Sequence, residues 1–419
     1  MKKTGQFKET ITIFGYYLLL AFVFCLPLNK KILPYIISAI ILNWLIGWRF
    51  HDNLKTCFKN KYLLLFIAFF LLHIIGILYS QNIYYALDDV LLKLSLFIFP
   101  FALFDSLSYS YDRIKTILTA FVIGCFIACI ICLIHSLMVY SQKHDLMIFF
   151  YGELSIFHHP GYFSMYLNFV LALLIFVTFL KQNNHSKRYV FFSSTLIIFF
   201  ILFIILLNSK TGILSSLLII LIALIYYFSN KRTGILVVTM LSILLFFFIA
   251  YQFLNKPVNP RFNKPMEMIQ NRDALIEKKT TESTSVRILI WQAAIEIIKE
   301  NYRYGVGTGD TKDMLLKKYK EKGMTGAYNE KLNAHNQFLQ TFIALGLPGI
   351  ILLLSSIIFP SILAFRKKNF IYLTFLIIIF INFLTESMLE TIAGVMFYAS
   401  FNSLLIVNVY RKELSLSKD

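Results

Sequence analysis

An imidazole, a guanidinium and an ammonium are the groups in this 419-residue chain whose types and places permit chemistry. His335 stands in Asn333-Ala-His335-Asn336-Gln, where a long polar segment gives way to a long apolar run. If that run is a helix crossing a bilayer, His335 lies at its N-terminus, where free N–H groups and the positive dipole end favour an anion. The same field disfavours an imidazolium and leaves a ring able to accept a proton. Gly346 and Gly349, further along the run, remove bulk from one face and would let another helix approach closely. The competing reading is an interfacial histidine followed by ordinary packing glycines.

Other polar groups punctuate the apolar runs. Arg287 begins Arg287-Ile-Leu-Ile-Trp291 in the first turn of an amphipathic pattern, where a cation opposes the helix dipole; either a partner elsewhere holds it or it is a solvated surface arginine. Lys210, in Ser209-Lys210-Thr211-Gly212, occupies a hinge between two apolar runs and either snorkels to headgroups or holds an anion. His158-His159-Pro160-Gly161-Tyr162 opens another run. Adjacent histidines point apart in an extended segment, so an interfacial belt of His and Tyr is expected there and a shared metal site is not. Glu386 and Glu390, four apart, would share a helical face if the eleventh span continues through them, and either pair with these cations or solvate a helix end. Gly305-Val-Gly307-Thr-Gly309-Asp310 reads as a tight turn and not a phosphate cradle, because no strand precedes it. Cations suit a pyrophosphate leaving group, and a neutral base suits an acceptor hydroxyl. With no Asp-rich metal motif on that face, the expected chemistry is metal-free transfer from a phosphate-linked lipid.

The elements that must position these groups are membrane helices. Hydrophobic residues make up 58% of the chain and aromatics 17%, with mean hydropathy +0.70, far too apolar for a soluble protein of this length. A formal charge of +18 suggests nucleic acid in a soluble protein. Here the basic residues lie between apolar runs, so no nucleic-acid partner is expected. The runs predict twelve spans near 10–27, 32–48, 62–80, 86–104, 115–140, 160–180, 189–207, 211–228, 233–254, 337–363, 370–386 and 391–410. Asp88, Asp89 and Lys93 make the fourth the weakest; Asp89 and Lys93, four apart, are expected to pair. The first run follows Met1-Lys2-Lys3 and lacks a small-residue cleavage site, so a retained first helix is expected.

Short loops on one side are rich in Lys and Arg, and those on the other hold only Lys30, Lys31, Lys143 and Lys210; this predicts both termini in the cytoplasm. It leaves one long outer segment, 255–335, between spans 1–9 (1–254) and spans 10–12 with a tail (336–419). Within it, Ser283 to Lys299 predicts an amphipathic helix lying on or near the membrane, and Thr311 to Lys322 a second helix capped by Gly323. The five cysteines, Cys25, Cys57, Cys125, Cys129 and Cys132, fall mostly in apolar runs and read as buried thiols.

His335 and Asn336, followed at fixed spacing by Gly346 and Gly349, together with Arg287–Trp291, the Gly305–Gly309 turn and the late outer segment, resemble the O-antigen ligase and O-antigen polymerase superfamily of bacterial membrane glycosyltransferases. The resemblance runs from about 150 to 410; earlier spans match only in hydropathy. It implies an all-α polytopic membrane protein of GT-C type, with a helical periplasmic loop capping a cavity. It implies transfer of a glycan from an undecaprenyl-pyrophosphate carrier to a lipid A–core hydroxyl, with inversion, without metal or other cofactor, at the periplasmic face of the inner membrane. His335 would then activate the acceptor hydroxyl, Arg287 and Lys210 would hold the pyrophosphate, and Asn336, His159 and Tyr162 would complete the substrate site. Lys210 stands where the family usually has arginine, a point charge in place of a bidentate fork. A polymerase extending the glycan on its own carrier is the alternative within the superfamily. A multi-pass transporter is the alternative outside it, disfavoured because matching broken spans do not recur in two halves.

Overall fold

The computed structural model describes residues 2–47, 60–102, 111–180, 186–228 and 283–416, and among these there is helix and loop but no strand. The ninth expected span, 233–254, the first part of the outer segment, and Cys57 lie outside the described residues. In chain order the helices are α1 (Lys2–Cys25), α2 (Leu33–Ile46), α3 (Lys61–Ile77), α4 (Ile83–Lys93), α5 (Ser95–Ala102), α6 (Tyr111–Lys143) and α7 (Pro160–Ile175). There follow α8 (Lys187–Leu206), α9 (Lys210–Phe228), α10 (Ser283–Asn301), α11 (Thr311–Glu321), α12 (Gln337–Arg366), α13 (Phe370–Thr385) and α14 (Ile392–Leu416).

Six of the described helices are long and apolar enough to cross a membrane: Asp112–Lys143, Pro160–Leu180, Lys187–Leu206, Lys210–Tyr227, Gln337–Arg366 and Ile392–Val409. Four shorter apolar helices, Glu9–Cys25, Leu33–Ile46, Lys61–Ile77 and Phe370–Thr385, fall where spans were expected. The expected fourth span is two short helices, α4 and α5, meeting at Leu94, with Pro100 inside the second. The reason is electrostatic: Asp89 and Lys93 must turn inward to find partners, and both are buried.

α7 and α14 form the centre, and all but two residues of α7 are buried. Rings from four helices interlock there, Phe121 of α6 on Phe401 of α14 at 4.7 Å between centroids and Phe169 of α7 on Phe375 of α13 at 5.2 Å. Polar ties register the bundle where no water competes: Tyr166 Oη donates to the Ala393 carbonyl at 2.8 Å, and Asn168 Nδ2 to the Gly212 carbonyl at 2.9 Å. Cys125, Cys129 and Cys132 are fully buried free thiols on the α6 face of this core.

A second, smaller core gathers the residues expected to form the outer cap. Val286, Ile290, Ala294 and Ile297 of α10 pack with Leu315 and Tyr319 of α11 and with Ile343 of α12. α10 and α11 form where caps and periodicity predicted them, and Gly323 at φ +66° lets the Met324 amide reach back to the Tyr319 carbonyl at 2.8 Å. The apolar face of α10 is covered by α11 and α12 of its own chain.

α12 is two helices. Gly346, at φ +61° and ψ −152°, breaks it. A Cβ there would sit 2.6 Å from the Arg303 carbonyl oxygen and the Tyr304 and Gly305 nitrogens. The close approach expected from the glycine spacing is therefore real, but what approaches is the Tyr302–Gly305 loop and not a helix. At Gly349 the nearest atoms belong to Leu345 and Thr341 of the same helix. Residues before the break contribute Leu339, Phe342 and Ile343 to the cap, and the apolar run after it extends to Arg366.

Candidate active site

His335 immediately precedes Asn336, the N-cap of α12, whose Oδ1 accepts from the Leu339 amide at 3.1 Å. Its backbone is left-handed, φ +44°, a conformation that L side chains rarely hold without support. The support is dense. The His335 amide donates to Asn333 Oδ1 at 3.0 Å, and Asn336 Nδ2 donates to the Leu384 carbonyl at 3.1 Å. On the preceding residue, Trp291 Nε1 donates to the Ala334 carbonyl and the Ala334 amide to Gln340 Oε1, each at 3.1 Å. Trp291, four residues after Arg287, thus ties α10 to the turn that presents the imidazole.

The imidazole faces Glu386, the C-cap of α13, with Nδ1 3.3 Å from Oε2. The other carboxylate oxygen, Oε1, accepts from a terminal nitrogen of Arg287 at 2.5 Å. This explains the cation in the first turn of α10: a carboxylate 99 residues away holds it. Burial alone pushes the Glu386 carboxyl up; the His335 hydrogen bond and the Arg287 charge outweigh it and leave it below the usual glutamate value. An ionised carboxylate only accepts, so the neutral His335 ring carries its proton on Nδ1 and its lone pair on Nε2. Arg287 Nε is buried and makes no hydrogen bond among the described residues, a donor that suits an anion.

Of the remaining expected residues, His159 and Tyr162 belong to α7 and Lys210 to α9. His159 caps α7, its Nδ1 accepting from the Gly161 amide at 3.3 Å and its Nε2 lying 3.3 Å from Tyr151 Oη. His158 points the other way, burying Nε2 against the Leu26 carbonyl at 3.0 Å, so the two adjacent rings diverge as expected. The electrostatic neighbourhood of Glu386 includes His159, and that of Tyr162 includes Glu386, Glu390 and Arg287. Lys210 is the first residue of α9. Its turn packs on α7, where a Cβ at Gly212 would meet Ser164 Oγ at 2.5 Å, and Ser209 Oγ caps the helix by accepting from the Gly212 amide.

One expectation is corrected and another is borne out. Glu386 and Glu390 do not share a helical face, because α13 ends at Thr385 and Glu386 is extended; Glu390 instead reaches Lys93 Nζ at 2.9 Å. The Gly305–Asp310 turn has no amide to spare for phosphate. Its N–H groups go in order to the carbonyls of Asn301, Ile343, Ala344 and Gly76, to Ser80 Oγ, and to the Gly307 carbonyl. The residue that spacing alone did not elevate is Glu386. Its signal was its place at a span end opposite two cationic candidates.

The fold and site define a helical, multi-pass membrane protein with a carboxylate-oriented imidazole and a paired guanidinium under a helical cap. Residues 195–354 match the family model described as O-antigen ligase, which supports an O-antigen ligase-like family for this chain. Lys210, Arg287, His335 and Asn336 lie inside the matched stretch; His159, Tyr162 and Glu386 lie outside it. The chain matches no curated protein.

If His335 serves as the base, replacing Glu386 with Gln is expected to lower the transfer rate about 10²-fold or more with a smaller change in KM, because the carboxylate fixes the imidazole's tautomer. In the parent protein the folded carboxyl sits below its ordinary value. Its stabilising contribution is therefore complete above the usual glutamate range and lost as pH falls through the folded value. A pH series of melting temperatures on both proteins checks the sign: the parent loses stability on acidification more steeply than Glu386→Gln. A variant with the parent's rate and acid profile would remove Glu386 from the site.

Proposed function

We propose that the chain transfers an undecaprenyl-pyrophosphate-linked glycan to a sugar hydroxyl of a lipid A–core acceptor at the periplasmic face of the bacterial inner membrane. The observation that carries this reading is Glu386 bridging His335 and Arg287, which leaves His335 Nε2 as a base beside a guanidinium whose buried Nε has no partner among the described residues. Arg287, with Lys210 at the start of α9, holds the donor's pyrophosphate. Nε2 takes the proton of the acceptor hydroxyl as its oxygen attacks the anomeric carbon. The bond from that carbon to the pyrophosphate oxygen breaks, the electron pair leaves on undecaprenyl pyrophosphate, and attack opposite the leaving group inverts the centre. Asn336 fixes the turn; His159 and Tyr162 line the side from which substrate contacts Glu386 and Arg287. The reading takes the GT-C arrangement of about twelve spans, cytoplasmic termini, and residues 255–335 as the periplasmic cap.

Purified donor offered with lipid A–core and other acceptors, in chelator, tests it. Expected is transfer to lipid A–core that persists in chelator and releases undecaprenyl pyrophosphate. Glycan lengthening on the carrier with no acceptor present makes the chain a polymerase, and passage of the glycan-lipid across proteoliposomes with no product makes it a transporter.

A further inference from the structure

The turn between α3 and α4 and the loop between α10 and α11 enclose a cavity of about 740 Å³, open to the outside. Its lining includes the rings of Tyr79 and Tyr84, the amides of Asn82 and Asn301, and the carboxylates of Asp310 and Asp313. The walls are cross-braced by groups more than 200 residues apart in sequence. Tyr79 Oη donates to the Tyr304 carbonyl at 2.7 Å, the Gln81 and Asn82 amides donate to the two Asp310 oxygens at 2.8 Å each, and Asn82 Nδ2 donates to Asp313 Oδ2 at 2.8 Å. At Gly309 a Cβ would lie 2.1 Å from the Asn82 carbonyl oxygen, so the two segments touch backbone to backbone. The cavity is thus pre-formed, within the size range of small-molecule sites.

A pyranose has an apolar face of C–H groups and a rim of hydroxyl donors. A phenol ring takes the first, and carboxylate and amide oxygens take the second. Tyr84 is 86% exposed at the mouth, beside those oxygens. Two carboxylates in the lining favour neutral or amino sugars over acidic ones. An interfacial belt of tyrosines accounts for exposed rings but not for the carboxylates and amides in the same cavity.

The cavity is also coupled in space to the candidate active site. Its Val306 wall donates to the Ile343 carbonyl of α12, the helix that begins just after His335. α4 starts in the cavity at Ile83 and ends at Lys93, which holds Glu390 on the loop that begins with Glu386. Eleven helical residues span about 16 Å, a distance that a chain of a few sugars covers and a monosaccharide does not. We propose that this cavity is a subsite for a neutral or amino oligosaccharide, gripping sugars remote from the bond being made. The assignment rests on the glycan-transfer reading above, and it means that binding energy from distant sugars is used to hold the reacting end.

Saturation-transfer NMR on the full-length protein in nanodiscs tests it, with maltotriose, chitotriose and an acidic hyaluronan tetrasaccharide as probes. At least one of the two neutral probes is expected to bind. Tyr84→Ala should weaken that binding roughly three- to tenfold, Tyr84→Trp should keep it, and Tyr35→Ala, at an exposed α2 tyrosine outside the cavity, should leave it unchanged. Absence of binding by both neutral probes, preference for the acidic one, or indifference to Tyr84→Ala overturns the subsite. Transfer kinetics then identify the source. A KM raised only for donors with long glycans places the donor chain in the cavity, a KM raised only for acceptor places the acceptor there, and neither change overturns the proposal. Transfer that requires His335 without probe binding sinks the subsite alone. Probe binding that depends on Tyr84, in a protein that transfers nothing, sinks the glycan-transfer reading alone.

Discussion

His335→Ala is expected to lower glycan transfer by roughly 10²- to 10⁴-fold, the range for loss of a positioned general base, while the protein remains folded in the membrane. The side chain is 23% exposed and its one side-chain partner among the described residues is Glu386, which keeps Arg287 as a counter-ion when the ring is removed. The turn itself is held by Asn333, Asn336, Trp291 and Gln340, none of which bonds to the imidazole. One confounding effect is the positive φ of residue 335, which alanine tolerates poorly. His335→Asn separates the two causes, because asparagine accepts that backbone region while offering no comparable base. Both variants should elute and melt close to the parent, and both should lose transfer. Activity in His335→Asn near the parent's level would show that the backbone turn, and not the ring nitrogen, is what transfer needs.

How far these features were legible in the sequence follows the range of the interactions behind them. Most of the apolar runs among the described residues, and the helices α10 and α11, depend on composition, periodicity and local caps, and these form helices close to the expected places, the fourth run excepted. His335 and Arg287 stood out because each sits at a helix start, where its charge or basicity has a local consequence. Glu386 was one of two carboxylates expected either to pair with the cations or to solvate a helix end; that it joins both His335 and Arg287 was not legible, since it lies 51 residues from one and 99 from the other. The Gly346 break was hidden for a related reason. A glycine in an apolar run is compatible with a continuous helix, and only the backbone of residues 303–305, lying where a Cβ would be, forces the left-handed turn. The tight-turn reading of Gly305–Asp310 held, yet the argument that excludes phosphate comes from α3 and α12, whose carbonyls and Ser80 hydroxyl occupy the amides.

The buried ionic cluster on α4 was only half visible, and it carries the largest expected effect on stability. Asp89 and Lys93 pair across one helical turn as predicted. The structure adds His73 Nδ1 at 3.2 Å from Asp89 and Glu390 at 2.9 Å from Lys93, with Lys93 wholly buried. One ammonium therefore balances two carboxylates, one of them on the loop that carries Glu386. Lys93→Met keeps the length and the packing of the side chain and removes the charge. It is expected to destabilise the protein by about 3–5 kcal/mol, the range for breaking a buried pair from one side. The loss should grow with pH. Burial pushes the Glu390 carboxyl up to about 7 against the pull of Lys93. A carboxyl raised in the folded state contributes stability below its ordinary value and loses it as pH rises through the folded one. Without the ammonium that penalty deepens, so the variant should melt nearest the parent at acid pH and furthest from it at alkaline pH. The triple variant Lys93→Met, Asp89→Asn, Glu390→Gln, which leaves no buried charge at these three positions, should recover most of the stability. A single variant that melts with the parent across the pH range would mean that the cluster is hydrated and that Lys93 does not anchor the Glu386 loop.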